Sequence, residues 1–363
     1  SLVGGVSRRC GAGEQSGGPQ LYLGEAIQGP LGRALGVSFA IAASIAAFGI
    51  GNMVQSNTVA DAIHSQFGVA TWATGLALAI GAGVVILGGI RSIGRFTAFF
   101  VPLMTVLYIL GATWVLAVHV EALPAALALI VTDAFSGTAA TGGFAGAGIA
   151  AAIRFGVARG IFSNESGLGT GGIAAAAAQT GHPVRQALVS MTQTFLDTLV
   201  VVTFTALVIL TTGAWTSGET GAPLTSLAFS MGLPGKGGGI LVTLSVAFFA
   251  FSTLLGWAYY GERNVQRLFG HRAVQPYRLA FVVAVFVGAV TRLDLVWTFS
   301  DIMNGLMALP NLVGLLLLSG LVARETKAYF AQPDWRGGRD STATLPARRE
   351  SSTGPSPPRP PPP

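Results

Sequence analysis

Charge is what this sequence has least of. Only 10% of its 363 residues are Asp, Glu, Lys or Arg, against roughly 25% in an ordinary soluble domain, while 51% are hydrophobic. A water-soluble fold cannot hide that much apolar surface. Cysteine is nearly absent: Cys10 stands alone, which excludes an internal disulfide. The histidines, His64, His119, His182 and His271, are dispersed without the spacing of metal ligands, and no Ser–His–Asp or Cys–His grouping lies among the mid-membrane residues. Neither a metal, a redox cofactor nor an intramembrane enzyme is expected. A net charge of +6 does not point to nucleic acid, because most basic residues sit in short stretches between apolar runs, where topology accounts for them. Alternation of period two is missing as well, which argues against a β-barrel.

What the sequence does have is a series of apolar runs, among them Val37–Gly51, Phe96–Val118, Leu199–Leu210, Gly239–Leu255 and Leu279–Val290. Each extends to about the 20 residues that a bilayer crossing needs. Backbone groups in lipid must be satisfied within helices, so the expected fold is all-α, a polytopic helical membrane protein in contact with lipid. Eight crossings are read, at 33–60, 72–90, 96–118, 143–180 with an internal break, 186–211, 239–262, 277–291 and 295–323. Glu121–Phe135 is apolar but too short to cross and reads as an interfacial helix. With 1–32 as a cytoplasmic segment, Arg8, Arg9, Arg33, Arg91, Arg95, Arg185, Arg263, Arg267, Arg272, Arg278, Arg324 and Lys327 share one side, against Arg154, Arg159, Lys236 and Arg292 on the other. The positive-inside rule then places both ends in the cytoplasm and the 262–278 loop with them. The transmembrane core spans 33–330, and the Pro-rich tail 331–363 cannot build a core and is expected to be disordered.

Polar residues at mid-membrane depth are the informative feature, since lipid offers them no partner. Asn52, Gln55 and Ser56 stand at i, i+3 and i+4 and share a helix face; they could line a cavity or simply hydrogen-bond a neighbouring helix. Arg159–Gly172 carries Ser163, Asn164, Glu165 and Gly167 between two short apolar stretches, the pattern of a discontinuous helix whose open backbone at 162–169 meets a substrate and an ion. The alternative for its charges is a structural ion pair of Arg159 with Glu165. Ser252, Thr253, Trp257, Tyr259 and Tyr260 combine hydroxyls with a flat aromatic wall, suited to a small ligand with one polar and one apolar end; an interfacial belt is the other reading of the aromatics and Glu262. Asp197, among Gln193, Thr194 and Thr198, is either a structural buried acid or a cation or proton site, and Asp301 with Asn304 is read the same way.

These segments resemble the alanine or glycine:cation symporters, the sodium:alanine symporter family. The resemblance lies in Gly49–Asn57, Thr138–Gly146, Val157–Gly169, His182–Gln186, Thr205–Gly213, Ser252–Glu262 and Met307–Leu312, and runs from about Ser16 to Phe330. It implies a LeuT-type fold of two inverted five-helix repeats with helices 1 and 6 unwound. The crossings here look like helices 3 to 10. The resemblance further implies that Gln55, Thr253 and Trp257 meet the amino acid and that Ser252 and Thr253 offer oxygens to Na⁺; the polar clusters themselves add Asn52, Ser163, Asn164 and Gly167 to the expected substrate-binding set and make Glu165 and Asp197 candidates for a charge relay. Family members carry an unwound helix 1 with Gly-Thr-Gly-Asn and a helix 2 before this region, and neither is in this sequence, so an incomplete copy is expected. The expected function is symport of alanine or glycine with Na⁺ or H⁺ across the plasma membrane. A non-transporting remnant and, less favoured, a channel are the alternatives.

Overall fold

The computed structural model describes residues 2–6, 9–11, 14–27, 29–135, 147–178, 180–291, 293–333 and 335. The Thr138–Gly146 motif, Arg292 and the tail beyond 335 lie outside the described residues.

Apart from a short antiparallel hairpin, β1 Arg9–Gly11 with β2 Glu14–Ser16, the described chain is helical. After α1 (Leu2–Val6) and α2 (Pro19–Ala26) come α3 (Pro30–Phe48), α4 (Val54–Phe67), α5 (Thr71–Leu87), α6 (Gly89–Val118), α7 (Leu123–Phe135), α8 (Ala147–Asn164) and α9 (Thr170–Ala177). There follow α10 (Pro183–Thr194), α11 (Thr203–Thr211), α12 (Gly221–Gly232), α13 (Gly237–Phe269), α14 (Val274–Val290), α15 (Leu293–Leu317) and α16 (Ser319–Phe330). Prolines at the first turns of α2, α3 and α10 start helices where no N–H is needed. His182 adds a side-chain cap, accepting from the Val184 N–H at 3.2 Å.

Among the described residues, six stretches are long and apolar enough to cross a membrane: Pro30–Phe67, Gly89–Val118, Pro183–Thr211, Gly237–Phe269, His271–Val290 and Val296–Leu317. Thr71–Leu87 is a shorter apolar helix. The chain is thus a polytopic bundle of membrane helices. Two long stretches are continuous only because a π-helical segment joins their halves, Gly49–Met53 between α3 and α4 and Phe195–Val202 between α10 and α11. Such wide turns are rare and recur near functional sites.

Packing is inverted relative to a soluble protein. Large side chains such as Val84, Leu110, Leu199 and Leu316 face outward, where lipid is as good a solvent as the core. The inner faces are small. On α3, Gly36, Ala40, Ala43, Ala46 and Ala47 are buried and let α2, α13 and α15 approach closely. The main core gathers Phe39, Ile50, Leu254, Leu255, Trp257 and Phe281 between α3, α13 and α14. A second cluster, with Tyr108, Val208, Phe229 and Val242, joins α6, α11, α12 and α13.

Helix ends fall differently from the expected crossings in two places. Arg91 and Arg95 lie in the first turns of α6 rather than in a loop, because α6 starts at Gly89. Helix α13 runs to Phe269 and α14 begins at Val274, so the expected 262–278 loop shrinks to Gly270 and one 3₁₀ turn.

Candidate functional site

Asn164 is the last residue of α8; the chain then passes through Glu165–Gly169 in successive turns before α9 starts at Thr170. Helical bonds give way to shorter ones: the Glu165 N–H donates to the Phe162 carbonyl at 3.3 Å, the Leu168 N–H to that of Glu165 at 3.3 Å, and the Ser166 N–H to Asn164 Oδ1 at 2.9 Å. The open stretch is shorter than the expected 162–169, since Phe162, Ser163 and Asn164 complete the last turn of α8. Glu165 adopts a φ of 55°, a left-handed conformation that costs a non-glycine residue about 1–3 kcal/mol. Gly169, at φ 95°, admits nothing larger: a Cβ there would lie 2.9 Å from the Phe39 ring and 3.0 Å from the Asn311 side chain.

Side chains from three directions hold the break. Asn311 Nδ2 donates to the Gly167 carbonyl at 2.7 Å, and the Asn311 Oδ1 accepts from the Tyr22 hydroxyl. Thr170 donates to Glu165 Oε2 at 2.8 Å, and the Tyr260 hydroxyl from α13 lies beside this carboxylate. Ser163 Oγ donates to Asp197, 2.8 and 2.7 Å from its two oxygens, while Asn164 Nδ2 reaches Thr198 Oγ1 at 3.3 Å. Asp197 and Thr198 both belong to the second π segment, so the wide turn of one helix faces the opened end of another. Among the described residues, no acceptor meets the N–H of Gly167 or Gly169. Both glycines line a cavity of about 300 Å³ with Asn164, Glu165, Gln193 and Asn311, at the small end of the roughly 300–1,000 Å³ range of ligand pockets. Two free amide donors, a carboxylate and several amides around a small cavity suit a small solute carrying both charges.

In the other two polar clusters the side chains hydrogen-bond backbone carbonyls. Asn52 is fully buried and its Nδ2 donates to the Phe281 carbonyl of α14 at 2.7 Å, although its Oδ1 is buried without a partner. From the first turn of α4, Gln55 donates to the Ile50 carbonyl at 3.0 Å and Ser56 to that of Met53 at 3.2 Å, both in the π segment. Asn57 donates to the carbonyls of Gly288 in α14 and of Thr291 just beyond it, at 3.0 and 2.7 Å. On α13, Ser252 and Thr253 both donate to the Phe249 carbonyl, at 2.8 and 3.0 Å, which gathers three oxygens at one place. Trp257 is buried against Gly51, where a Cβ would strike the indole, and packs edge-on to Tyr260 at 5.6 Å. The chain of contacts from Gly51 through Trp257 and Tyr260 to Glu165 links the first π segment to the break.

Two alternatives raised by the sequence do not hold. Trp257, Tyr259 and Glu262 are buried and so form no interfacial belt; α13 continues two turns beyond Glu262, which places them inside the helix instead of at its end. Glu262 is clamped by Arg263 and Arg278, each at 2.6 Å. Arg159 pairs with Asp301 of α15 and not with Glu165, which lies beyond the end of α8 and accepts from Thr170. Asn311, Tyr22 and Thr170 were not legible as site residues. Asn311 follows Pro310 inside α15, but its partner Gly167 is far away in sequence.

A sodium/alanine symporter, AgcS, of Methanococcus maripaludis is 51% identical over 322 residues, covering 87% of this chain and 70% of the relative. The amino-acid carrier protein AlsT of Bacillus subtilis is 34% identical over 318 residues, 87% of this chain and 66% of its own length. A sodium/proton-dependent alanine carrier protein of Bacillus sp. strain PS3 is 34% identical over 298 residues, 77% and 66% of the two chains. The profile of the sodium:alanine symporter family matches residues 6–342, and this chain therefore belongs to that family, one of transporters and not of enzymes.

Proposed function

We propose that the protein carries out secondary symport of a small neutral amino acid, alanine or glycine, with Na⁺ across the plasma membrane, with both chain ends cytoplasmic. The observation that carries this reading is the opened α8–α9 helix, whose Gly167 and Gly169 line a small cavity beside Glu165 with no acceptor at their N–H groups. Family membership supports the cation coupling. A LeuT-type inverted repeat, with helices 3 to 10 in this chain, is the architecture in which such a break serves transport.

In this mechanism the substrate carboxylate takes the free N–H groups of the break with Asn164 and Ser163, at the positive end of α9. The Gln55 amide, the free Oδ1 of Asn52 and the Thr253 hydroxyl orient the solute, and Trp257 walls its side chain. Ser252, Thr253 and the Phe249 carbonyl offer Na⁺ the hard oxygen ligands it requires. Glu165 and Asp197, joined to the break through Thr170 and Ser163, exchange partners as the site empties. Binding then favours the state in which the break is closed around the solute, and the two ligands raise each other's affinity.

The test is uptake of labelled alanine into proteoliposomes holding the purified chain. An inward Na⁺ gradient should drive accumulation above a K⁺ control, with glycine competing. Gln55→Ala should weaken amino-acid uptake and Ser252→Ala should chiefly raise the Na⁺ concentration needed, each by roughly tenfold or more. Accumulation that follows a proton gradient and ignores Na⁺ replaces the ion; no accumulation under either gradient overturns the reading.

A further inference from the structure

A cavity of about 500 Å³ lies between α4, α12 and α13 and shares no lining residue with the one at the break. Asp61 and Gln66 of α4 line it, with Glu219 and Thr220 from the polar stretch before α12 and Thr243 of α13. Both carboxylates are exposed, and no basic residue is in the lining. Thr243 is only 2% exposed, yet it makes no hydrogen bond among the described residues. Other threonines in these helices behave differently: Thr205, Thr211, Thr212 and Thr253 each donate to the carbonyl four residues back. Gly239 stands one turn before Thr243 on the same face of α13, and Gln66 Oε1 is packed so close to it that a Cβ there would strike the amide. The amide oxygen and the buried hydroxyl therefore occupy one side of α13. A buried hydroxyl without a partner is costly, and it marks this acidic recess as more than a solvated face.

We propose that this cavity binds a short aliphatic diamine, whose two ammonium groups meet Asp61 and Glu219 and whose chain lies against Leu227 and Val242. Charge selects the class first. Two carboxylates with no base in the lining attract a dication most strongly, whereas a zwitterion would bring a third carboxylate against them. Shape selects it further: the volume falls within the roughly 300–1,000 Å³ of small-molecule sites, and the apolar part of the wall, Pro223, Leu227 and Val242, suits methylenes and offers no ligand to a metal ion, which takes oxygens alone. Each ammonium donates three hydrogen bonds, and Gln66 Oε1 and Thr243 Oγ1 supply acceptors beyond the carboxylates. The inference stands apart from the proposed function, since the α8–α9 break contributes none of these residues.

The experiment is calorimetric titration of 1,4-diaminobutane into the purified full chain in an uncharged detergent at low ionic strength, with 1-aminobutane and CaCl₂ titrated in parallel. The expected result is one saturable equivalent of the diamine, weakened by added salt, with 1-aminobutane binding about two- to fivefold more weakly because one carboxylate is left unmet. Asp61→Asn and Glu219→Gln, both at exposed positions, should each weaken the diamine by the same two- to fivefold. Thr243→Val keeps the shape and removes the hydroxyl; it should weaken binding about two- to tenfold while the melting temperature without diamine does not fall, since no hydrogen bond is lost. No saturable diamine binding overturns the proposal. Binding that all three variants retain unchanged overturns its placement between α4, α12 and α13. Equal affinity for the monoamine overturns the pairing of both carboxylates, and saturable Ca²⁺ binding that excludes the diamine overturns the ligand class in favour of a metal ion.

Discussion

The π segment at Gly49–Met53 and the break at Glu165–Gly169 are built from the same materials, glycines with Asn, Gln, Ser and Glu in an apolar stretch, and they end in opposite conditions. Around the first, amides hydrogen-bond carbonyls of α14 and of their own turn, and the chain stays helical. Around the second, side chains from α2, α13, α15 and the other π segment hold an opened backbone against a cavity. Polarity at membrane depth therefore does not by itself distinguish packing from a site. The partner does: a polar group tied to the backbone of a packed helix contributes stability, and one tied to other side chains around an open backbone contributes geometry.

That contrast is breakable by mutation, with the largest effects in the packed region. Glu262→Leu leaves Arg263 and Arg278 without their shared carboxylate; breaking a buried ionic group of this kind costs about 3–5 kcal/mol, so the variant should show a sharply lower melting temperature in detergent. An unchanged melting temperature would mean that the cluster is solvated. Gly51→Val forces a side chain into Trp257, and overpacking should cost about 1–3 kcal/mol, again as a fall in melting temperature. An unchanged melting temperature would mean that the indole moves aside without cost.

Asn311→Leu should do the reverse. It frees the Gly167 carbonyl and strands the Tyr22 hydroxyl, and should cut alanine uptake roughly tenfold while shifting the melting temperature less than Gly51→Val does. Equal losses of both would make Asn311 a packing residue and erase the distinction between the two regions. The smallest effect is expected at Gly160 in the last turns of α8, where a Cβ meets nothing within 4 Å. Gly160→Ala should stabilise the helix by about 0.5–1 kcal/mol, read as a small rise in melting temperature; a fall would mean that this turn must open.

Composition and hydropathy alone determined that this chain is a bundle of membrane helices, because 51% hydrophobic and 10% charged residues admit no other way to satisfy a backbone in lipid. Local pattern also marked the α8–α9 region, since glycines among Ser, Asn and Glu between two short apolar stretches make an open turn cheap. Tertiary structure decided the rest. Whether Asn52 faced a ligand or the Phe281 carbonyl, whether Arg159 met Glu165 or Asp301, and that Asn311 would hold Gly167 all depend on residues distant in sequence. Spacing along one helix fixes which face a side chain takes, but not which helix is packed against that face, and in a membrane, where any exposed surface can be apolar, the sequence leaves that choice to packing.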